Sequence, residues 1–265
     1  MAVSPGSDLT TPIDPRQGHA NGPPVLALAR EYPPGHIIPV HRHERGQLVY
    51  AVSGVMEMTT ERQVWLIPPQ RALWVPPDLD HRLHARGAVS LRSLFFSPAL
   101  SAVCPPHPVA VSIGGLLREM ILRAVQCGDS PPTLHDERVI ALIPGEIPWS
   151  STQSLSLAMP QDPRLTRLCH SLLETPADNR SLSEWGQLAG ASARTLARLF
   201  QSELGMTFDC WRQQMRTLLA LPRLAAGDSV THIALDLGYD TPGAFSAMFR
   251  RQMGQTPRRF LNRLT

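Results

Sequence analysis

Hydrophobic and polar positions follow two different patterns along the chain. In the first part, short apolar stretches rich in β-branched and aromatic residues cover 47–52, 55–59, 63–67, 72–75 and 90–96. Turn signals separate them, at Ser53-Gly54, Pro68-Pro69 and Pro76-Pro77-Asp78. Many short strands with turns between them predict an antiparallel sheet closed into a barrel or sandwich.

The pattern then changes to the spacing of helices. Apolar residues at Ile113, Leu117, Met120 and Ala124 predict a helix over 113–127, and a second helix is predicted over 133–143. A polar stretch without periodicity follows. The remainder of the chain has helical spacing throughout.

Two segments of this helical part repeat each other. Residues 181–190 (SLSEWGQLAG) and 229–238 (SVTHIALDLG) both open with a serine suited to an N-cap and close with a glycine suited to a left-handed helix end. A second helix follows each of them, over 192–204 and 241–253, and residues 208–226 form a long helix between the two copies. A short helix, a Gly turn and a second helix are typical of helix-turn-helix units. The main alternative is a helical bundle with a duplicated hairpin.

Composition and charge support this division. Residues 1–163 hold 22 of the 26 prolines, which disfavours helix there. The net charge is +3, but residues 164–265 carry 13 Arg against 8 acidic residues, so the helical part is the basic one. This part of the chain suits a polyanion such as DNA. All 25 basic residues are Arg, whose planar side chain can form paired hydrogen bonds.

Other compositional features exclude several protein classes. The four cysteines lie far apart, so neither a zinc cluster nor a disulfide framework is predicted. The sequence contains no run of 18 apolar residues, so no membrane span is predicted. Residues 1–24 lack the apolar core of a signal peptide. We therefore expect a cytoplasmic, nucleoid-associated protein with a disordered tail.

Five motifs of the helical part resemble the AraC/XylS family of transcription regulators. They are LARLF (196–200), GMTF (205–208), IALDLGY (233–239), FSAMF (245–249) and GQTP (254–257). The resemblance covers residues 164–263. It implies that the two helix-turn-helix units enter adjacent major grooves of double-stranded DNA, one helical turn apart, with a linking helix that fixes their spacing.

The outward positions of the two implied reading helices are the candidate DNA contacts. On the first helix, Arg194 and Arg198 lie one turn apart and can reach guanine. The outward positions of the second helix are small, so thymine methyl groups or DNA shape must be read there. The candidates are Ala193, Arg194, Thr195, Ala197, Arg198, Thr241, Gly243, Ala244, Ala247, Arg250, Arg251 and Arg258. The last three are expected to bind phosphate.

A histidine motif in the first part resembles the cupin fold. His41 and His43 alternate as residues on one face of a strand would, and His81 follows a Pro-rich turn. The resemblance implies a ligand set in which Gln47 stands where cupins carry a metal-binding Glu, and Asp78 stands where they carry a turn Gly. Three imidazoles suit a divalent metal. The alternatives are a small organic effector bound directly, or histidines held without a ligand.

These observations predict an α+β regulator: a cupin-like antiparallel β-barrel with two helices, then an all-α domain of two helix-turn-helix units joined by a long helix. The predicted parts are 1–24 (tail), 25–105 (effector-binding barrel), 106–149 (dimerising helices), 150–163 (linker) and 164–265 (DNA binding). Expected partners are DNA, a small effector, a second copy of the chain and, for an activator, RNA polymerase. We expect no enzymatic activity; the alternative is a cupin-type metal-dependent enzyme fused to DNA-binding helices.

Overall fold

The chain divides into two compact units in a computed structural model, which describes residues 22–127, 132–149 and 156–261. The first unit comprises Met1–Thr60 and Ile67–Ser154, and the second comprises Glu61–Leu66 and Leu155–Thr265. Most of the predicted tail, residues 1–21, lies outside the described residues. Its last two residues are held in place, because Ser97 N donates to Pro24 O (2.8 Å) and the Arg45 guanidinium donates to Pro23 O (3.1 Å).

An antiparallel sheet forms the first unit. Its strands run in the order β7-β5-β3-β6-β1, with β2 paired to the early part of β6. The bounds are β1 (Val25–Tyr32), β2 (Ile37–His41), β3 (Gly46–Thr59), β5 (Arg71–Val75), β6 (His81–Phe96) and β7 (Val109–Ser112). The mixed α+β class and the antiparallel pairing are confirmed. Closure of the sheet into a barrel stays a prediction.

One face of this sheet is covered by helices α2 (Gly115–Gln126) and α3 (Leu134–Glu146); a short helix, α1 (Pro98–Ser101), follows β6. The buried core between sheet and helices includes Trp74, Phe96 and Ile121, each less than 1 % exposed. Alternate residues of β3 and β6 point to the opposite face, where Gln47 and Ser93 are hydrogen-bonded to each other. The sheet therefore has an apolar helix-covered face and a face with buried polar side chains.

The turn predicted at Ser53-Gly54 is wrong. Strand β3 continues through it and stays paired with β6, with shifts of register between Ala51 and Val55. Gly54 has φ +76°, and a Cβ there would lie 2.1 Å from Ala88 O. A glycine in a strand can mark a bulge as well as a turn, and here the long-range pairing with β6 selects the bulge. The predicted strand 90–96 likewise begins earlier, at His81, because β2 and β3 both pair with its first half.

Asp78 occupies the turn position at which the cupin motif has glycine, and it retains the glycine-type backbone, with φ +59°. Its N–H donates to His43 O (2.9 Å), which ties the turn to the histidine segment. Aspartate tolerates this left-handed region better than most residues, whereas β-branched residues do not.

We expect Asp78→Val to lower the free energy of unfolding by about 1–3 kcal/mol, because a β-branched residue at positive φ is strained. Asp78→Gly should change it by less than about 0.5 kcal/mol. Urea unfolding measures both, with Asp80→Val at the neighbouring exposed aspartate as the control. Equal loss at positions 78 and 80 would show that side-chain hydrophobicity, and not backbone strain, causes the effect.

The second unit contains the two predicted helix-turn-helix copies. Its helices are α4 (Pro163–Glu174), α5 (Leu182–Ala189), α6 (Ala193–Leu204), α7 (Phe208–Ala225), α8 (Val230–Asp236), α9 (Pro242–Met253) and α10 (Pro257–Leu261). Helices α5 and α6 form the first copy, α8 and α9 the second, and α7 links them. The predicted bounds of the two helices, 192–204 and 241–253, are thus confirmed within one residue.

Local capping chemistry explains why these helices begin and end where they do. Ser192 and Thr241 cap α6 and α9 through their side-chain oxygens, and Gly205 and Gly254 end the two helices with positive φ. Ser181 forms a capping box with Glu184 at the start of α5. Ser229 precedes α8 in the same position but makes no side-chain cap bond, so this part of the repeat is imperfect.

A short strand pair also belongs to the second unit. Strand β8 (Ser156–Ala158) lies within the stretch predicted as a linker and pairs antiparallel with β4 (Gln63–Ile67). Side chains of α7 fix its carbonyls: Trp211 Nε1 donates to Ala158 O (2.9 Å), and the Gln214 amide donates to Ser156 O. The residues just before α4 are therefore attached to the linking helix.

The sequence predicts a kink or an early end of α7 at Pro222, because proline disfavours a helix interior. The helix continues for three residues beyond it, to Ala225, so the early end is wrong. Proline lacks the N–H that would bond to Leu218 O, and it lies only one turn from the helix end. The backbone bonding of α7 is therefore weakest just before the second helix-turn-helix unit. Among the described residues, no helix has both the length and the apolar character needed to cross a membrane.

Candidate DNA-binding surface and histidine cluster

Helix α6 separates buried from exposed side chains cleanly. Leu196, Leu199 and Phe200 are buried, whereas Arg194 and Arg198 are exposed, one turn apart on the opposite side. Neither guanidinium has an ion-pair partner in the part of the chain that the structure describes. Two unpaired cations on the outer face of a helix can bind an acceptor such as a guanine edge.

The other three candidates on α6 flank these arginines. Ala197 is exposed, and Ala193 and Thr195 are half-buried. The Thr195 hydroxyl lies 2.9 Å from the Ser192 hydroxyl, so it already has a hydrogen-bond partner at the N-cap. Its methyl group remains the part suited to an apolar contact.

Helix α9 presents a smaller and less polar face. Gly243, Ala244 and Ala247 are exposed opposite buried Phe245 and Phe249. Thr241 is exposed too, but its hydroxyl accepts from Ala244 N (3.1 Å) as the helix cap. This face lets a groove wall approach the helix backbone closely and offers methyl groups instead of donors.

Exposed arginines surround the end of α9. Arg250 and Arg251 lie in its last turn, and Arg258 and Arg259 lie on α10. The candidate DNA contacts of the helical part are therefore all on the surface except the partly covered Ala193 and Thr195. They form two groups, one on α6 and one on α9 and α10.

In the first unit, the structure brings the three candidate histidines together. His41 ends β2, His81 begins β6 opposite it in the strand register, and His43 follows in the connection to β3. One ring nitrogen of each lies within 4.8 Å of those of the other two. The ring centroids of His41 and His81 are 4.3 Å apart.

Backbone carbonyls orient all three imidazoles in the same way. The Nδ1 atom of His41 lies 2.9 Å from Pro39 O, that of His81 lies 2.7 Å from Leu79 O, and that of His43 contacts Arg45 O. A carbonyl can only accept, so Nδ1 carries the proton in each ring. The Nε2 atom of each neutral ring then offers a lone pair, as in metal-bound histidines whose other nitrogen donates to a carbonyl.

Burial keeps these histidines neutral at pH 7. It lowers the pKa of His81 to about 3, with the hydrogen bond to Leu79 acting in the opposite direction. The pKa values of His41 and His43 are also lowered, mainly by burial. Because the rings need not lose a proton at pH 7, they can accept a cation without that cost.

Gln47 lies beside this cluster and is held by a residue that the sequence did not indicate. Its Oε1 is 3.0 Å from His43 Nε2, and its Nε2 donates to Ser93 Oγ (2.9 Å). A hydroxyl both donates and accepts, so Ser93 can support either orientation of the amide. The Gln47 oxygen thus faces the cluster, as a cation ligand would. With the amide turned over, Gln47 Nε2 donates to the lone pair of His43 Nε2 instead.

The donor set fits a divalent metal. The buried Nε2 of His81 has no hydrogen-bond partner among the described residues, which is costly unless a ligand satisfies it. His41, His43 and His81 would supply three neutral nitrogens, and Gln47 would supply a neutral oxygen. Imidazole ligands suit Zn²⁺, Cu²⁺, Fe²⁺ and Ni²⁺. His84, three residues after His81, lies instead near Glu57, with 3.7 Å between His84 Nδ1 and Glu57 Oε1.

Comparison with known proteins identifies both units. Residues 23–206 match the family model of the AraC-like ligand binding domain, and residues 185–263 match that of a helix-turn-helix domain. The HTH-type transcriptional regulator NimR of Escherichia coli is 35% identical over 231 residues, which are 86% of this chain and 83% of NimR. The regulator RipA of Corynebacterium glutamicum is 36% identical over 99 residues, covering 37% of this chain and 30% of RipA.

Among solved structures, the chain matches ToxT of Vibrio cholerae with a TM-score of 0.40 and 10% identity over 91% of this chain and 98% of that one. The DNA-binding domain of AdpA in complex with a target DNA is 29% identical, with a TM-score of 0.37, over 39% of this chain and 93% of that one. The family-model matches and the similarity to NimR agree with the duplicated helix-turn-helix units described above. The chain belongs to the AraC family of transcriptional regulators, with an AraC-like ligand-binding domain followed by a helix-turn-helix DNA-binding domain.

Proposed function

We propose that this regulator recognises its operator mainly through Arg194 and Arg198 on α6. The observation that carries the proposal is the position of two exposed, unpaired guanidinium groups one turn apart on a helix whose other face is buried. Each can donate two hydrogen bonds to guanine O6 and N7 in the major groove. Ala193, Thr195 and Ala197 contact the same groove through methyl groups.

Helix α9 recognises the neighbouring groove by other means. Gly243, Ala244 and Ala247 approach thymine methyl groups and the groove wall, and Thr241 lies at the helix start near the DNA backbone. Arg250, Arg251 and Arg258 neutralise phosphates. Sequence information at the second groove therefore comes from methyl contacts and DNA shape, and affinity comes from the surrounding cations.

Arg258 tests the phosphate part of this proposal. We expect Arg258→Ala to weaken binding to specific and unrelated DNA by the same factor, and to reduce the slope of log K against log salt by about 1. Fluorescence anisotropy at several salt concentrations measures both, with Arg167→Ala on the exposed side of α4 as the control. A change in base preference with an unaltered slope would assign Arg258 to base contact instead.

We further propose that the parts of the chain have the functions predicted from the sequence: residues 25–105 bind the effector, 106–149 form the dimer and 164–265 bind DNA. Support for a homodimer comes from exposed leucines on the helices of the first unit: Leu116 is 65% exposed, and Leu134 and Leu142 are each 63% exposed. These side chains lie on two helices that pack against each other, so they offer apolar surface that a second copy of the chain would cover. A dimer doubles the number of DNA contacts, and an activator would in addition contact RNA polymerase.

We expect Leu116→Gln combined with Leu142→Gln to convert a dimer into a monomer in sedimentation-velocity experiments, because both exposed apolar side chains leave the interface. Val103→Gln is the control, since Val103 is 83% exposed but lies outside α2 and α3. A variant that still sediments as a dimer would place the interface on another surface.

For the first unit, we propose that the histidine cluster binds the effector, either as a divalent metal alone or as a small molecule held with that metal. The supporting observation is that ring nitrogens of His41, His43 and His81 lie within 4.8 Å of one another, and that the buried Nε2 of His81 has no hydrogen-bond partner among the described residues. A bound metal would supply a positive charge and open coordination positions for an anionic or amine-bearing molecule. Binding there would favour one of two states of the regulator that differ in DNA affinity.

Thermal unfolding of the metal-free protein, with and without Zn²⁺, Ni²⁺, Cu²⁺ or Fe²⁺, tests whether the cluster binds a cation. Operator affinity measured in the same solutions tests whether the cluster regulates DNA binding. A cation that stabilises the protein but leaves operator affinity unchanged would make the cluster a structural site and not a sensor.

A further inference from the structure

Arg216 of the linking helix is buried, and it forms no ion pair within the part of the chain that the structure describes. It lies in the middle of α7, only 5% exposed. Its hydrogen bonds go to neutral oxygens: Nε donates to Pro176 O (2.9 Å), and NH2 donates to Asp178 O (3.3 Å) and Asn179 Oδ1 (2.8 Å). A buried cation is costly unless its donors are satisfied, so this loop must stay in place around it.

These acceptors all belong to the loop that precedes the first helix-turn-helix unit. The loop connects α4 to α5, and it is stiffened by the Asp178 carboxylate, which accepts from Arg180 N (2.9 Å). The Arg180 guanidinium lies 4.3 Å from the centre of the buried Trp185 ring on α5. Arg216 therefore fixes the loop before α5, at the start of the first helix-turn-helix unit, through a rigid connection.

The same loop contacts the turn of the second helix-turn-helix unit. Asn179 Nδ2 donates to Gly238 O (2.9 Å), while its Oδ1 accepts from Arg216. A Cβ on Gly238 would lie 2.7 Å from Ala177 O, so the turn and the loop are packed backbone to backbone. The Arg216 guanidinium also lies 5.3 Å from the Tyr239 ring in that turn. We call Arg216, Asn179 and Gly238 the bridging cluster.

The bridging cluster connects the two helix-turn-helix units to each other without depending on the last turn of α7. Pro222 removes a backbone hydrogen bond there, and Gly227 follows with positive φ, so the covalent path to α8 is weak. The bridging cluster acts before Pro222 and contacts the second turn directly. Two rigid elements joined at two places keep a fixed orientation, whereas a single weak joint would not maintain it.

We propose that Arg216, through Asn179 and Gly238, sets the distance and rotation between the two reading helices, and so makes this regulator selective for the spacing between its two DNA subsites. Arg216 is a positioning residue, because it reaches neither reading face itself. The inference rests on the proposed use of both α6 and α9 in adjacent grooves.

The test compares an operator, located by footprinting upstream DNA, with the same operator carrying two extra base pairs between its subsites. Two base pairs rotate the second groove by about 70° relative to the first. We expect the wild-type chain to bind the altered DNA about 100-fold less tightly than the original. In Arg216→Met and Asn179→Ala, this ratio should fall below about 10, mainly through weaker binding to the original DNA.

A ratio of affinities separates positioning from simple loss of folded protein. Partial unfolding lowers the active fraction and affects both DNAs equally, which leaves the ratio unchanged. Asn179 is exposed, so its alanine variant removes the bridge with little effect on the core. Arg167→Met on α4, an exposed position, is the matched control and should retain the wild-type ratio.

The inference is overturned if both variants discriminate between the two spacings as strongly as the wild type. If the wild type itself binds both DNAs equally, the two-groove arrangement is wrong, and the positioning role falls with it. Arg216→Lys adds a graded result: it keeps the charge but cannot bond to Pro176, Asp178 and Asn179 together, so an intermediate ratio is expected.

Discussion

Replacing both Arg194 and Arg198 with alanine should remove much of the preference for the operator over unrelated DNA while leaving weak binding to any DNA. Each bidentate contact to guanine contributes about 1–3 kcal/mol of discrimination, so losing both should cost about 2–6 kcal/mol. The affinity for the operator should therefore fall at least about 30-fold. Both side chains are exposed and lie opposite the buried face of α6, so the fold of the helix is retained.

The measurement is competition binding with operator and scrambled DNA at one fixed salt concentration. Charge loss alone would also weaken binding, so the control removes two exposed arginines elsewhere, Arg138→Ala with Arg167→Ala. This control should keep the preference for operator over scrambled DNA. If the double variant at 194 and 198 keeps that preference, α6 does not read bases through these arginines.

The second large effect is expected at the histidine cluster. A divalent cation at 100 times its dissociation constant should stabilise the folded protein by about 2.7 kcal/mol, because it binds only the folded arrangement. For a chain of this size, the melting temperature should rise by about 5–10 °C. His81→Ala should abolish this rise, since the variant lacks the unpaired Nε2 around which the site converges.

Gln47→Glu should act in the opposite direction. A buried carboxylate beside neutral histidines is unfavourable without metal, so the melting temperature of the metal-free variant should fall. With the cation bound, the carboxylate becomes a better ligand than the amide, and the affinity should rise about 10-fold or more. Fluorescence-monitored unfolding of chelator-treated protein, repeated with Zn²⁺, Ni²⁺, Cu²⁺ and Fe²⁺, measures both changes.

The control for these variants is His84→Ala. His84 lies on the same strand as His81 but near Glu57, away from the cluster, so the cation-dependent rise should persist. Stabilisation by a cation that is the same in wild type and His81→Ala would contradict the proposed site. No stabilisation by any of the cations would leave the cluster to an organic effector that binds the imidazoles directly.

The sequence predicted the helix-turn-helix units well because their limits depend on local chemistry. Ser192 and Thr241 cap their helices, and Gly205 and Gly254 end them, so the boundaries follow from single residues and their neighbours. The three histidines were also found correctly as a group. The strand predicted to carry both His41 and His43 ends at His41, so the prediction is wrong for His43, which lies in the connection to β3. The pairing of β6 with β2 places His81 opposite His41.

The errors occurred where distant residues decide the structure. The pair Ser53-Gly54 is typical of a turn, but the pairing of β3 with β6 makes Gly54 part of a bulge. Strand β8 is three residues long and is held by Trp211 and Gln214, which lie more than 50 residues away. Ser93 and Arg216 likewise acquire their roles only through partners that are remote in sequence.

Salt-dependent binding of the whole protein to the DNA upstream of its own coding region tests the central claim most directly. An AraC-family regulator that reads bases through α6 should bind one site there at least about 1,000-fold more tightly than scrambled DNA. Its log K should fall steeply as salt rises, and a cation that stabilises the first unit should change the affinity for that site. Equal affinity for upstream and scrambled DNA, in metal-free protein and with each cation, would contradict the account.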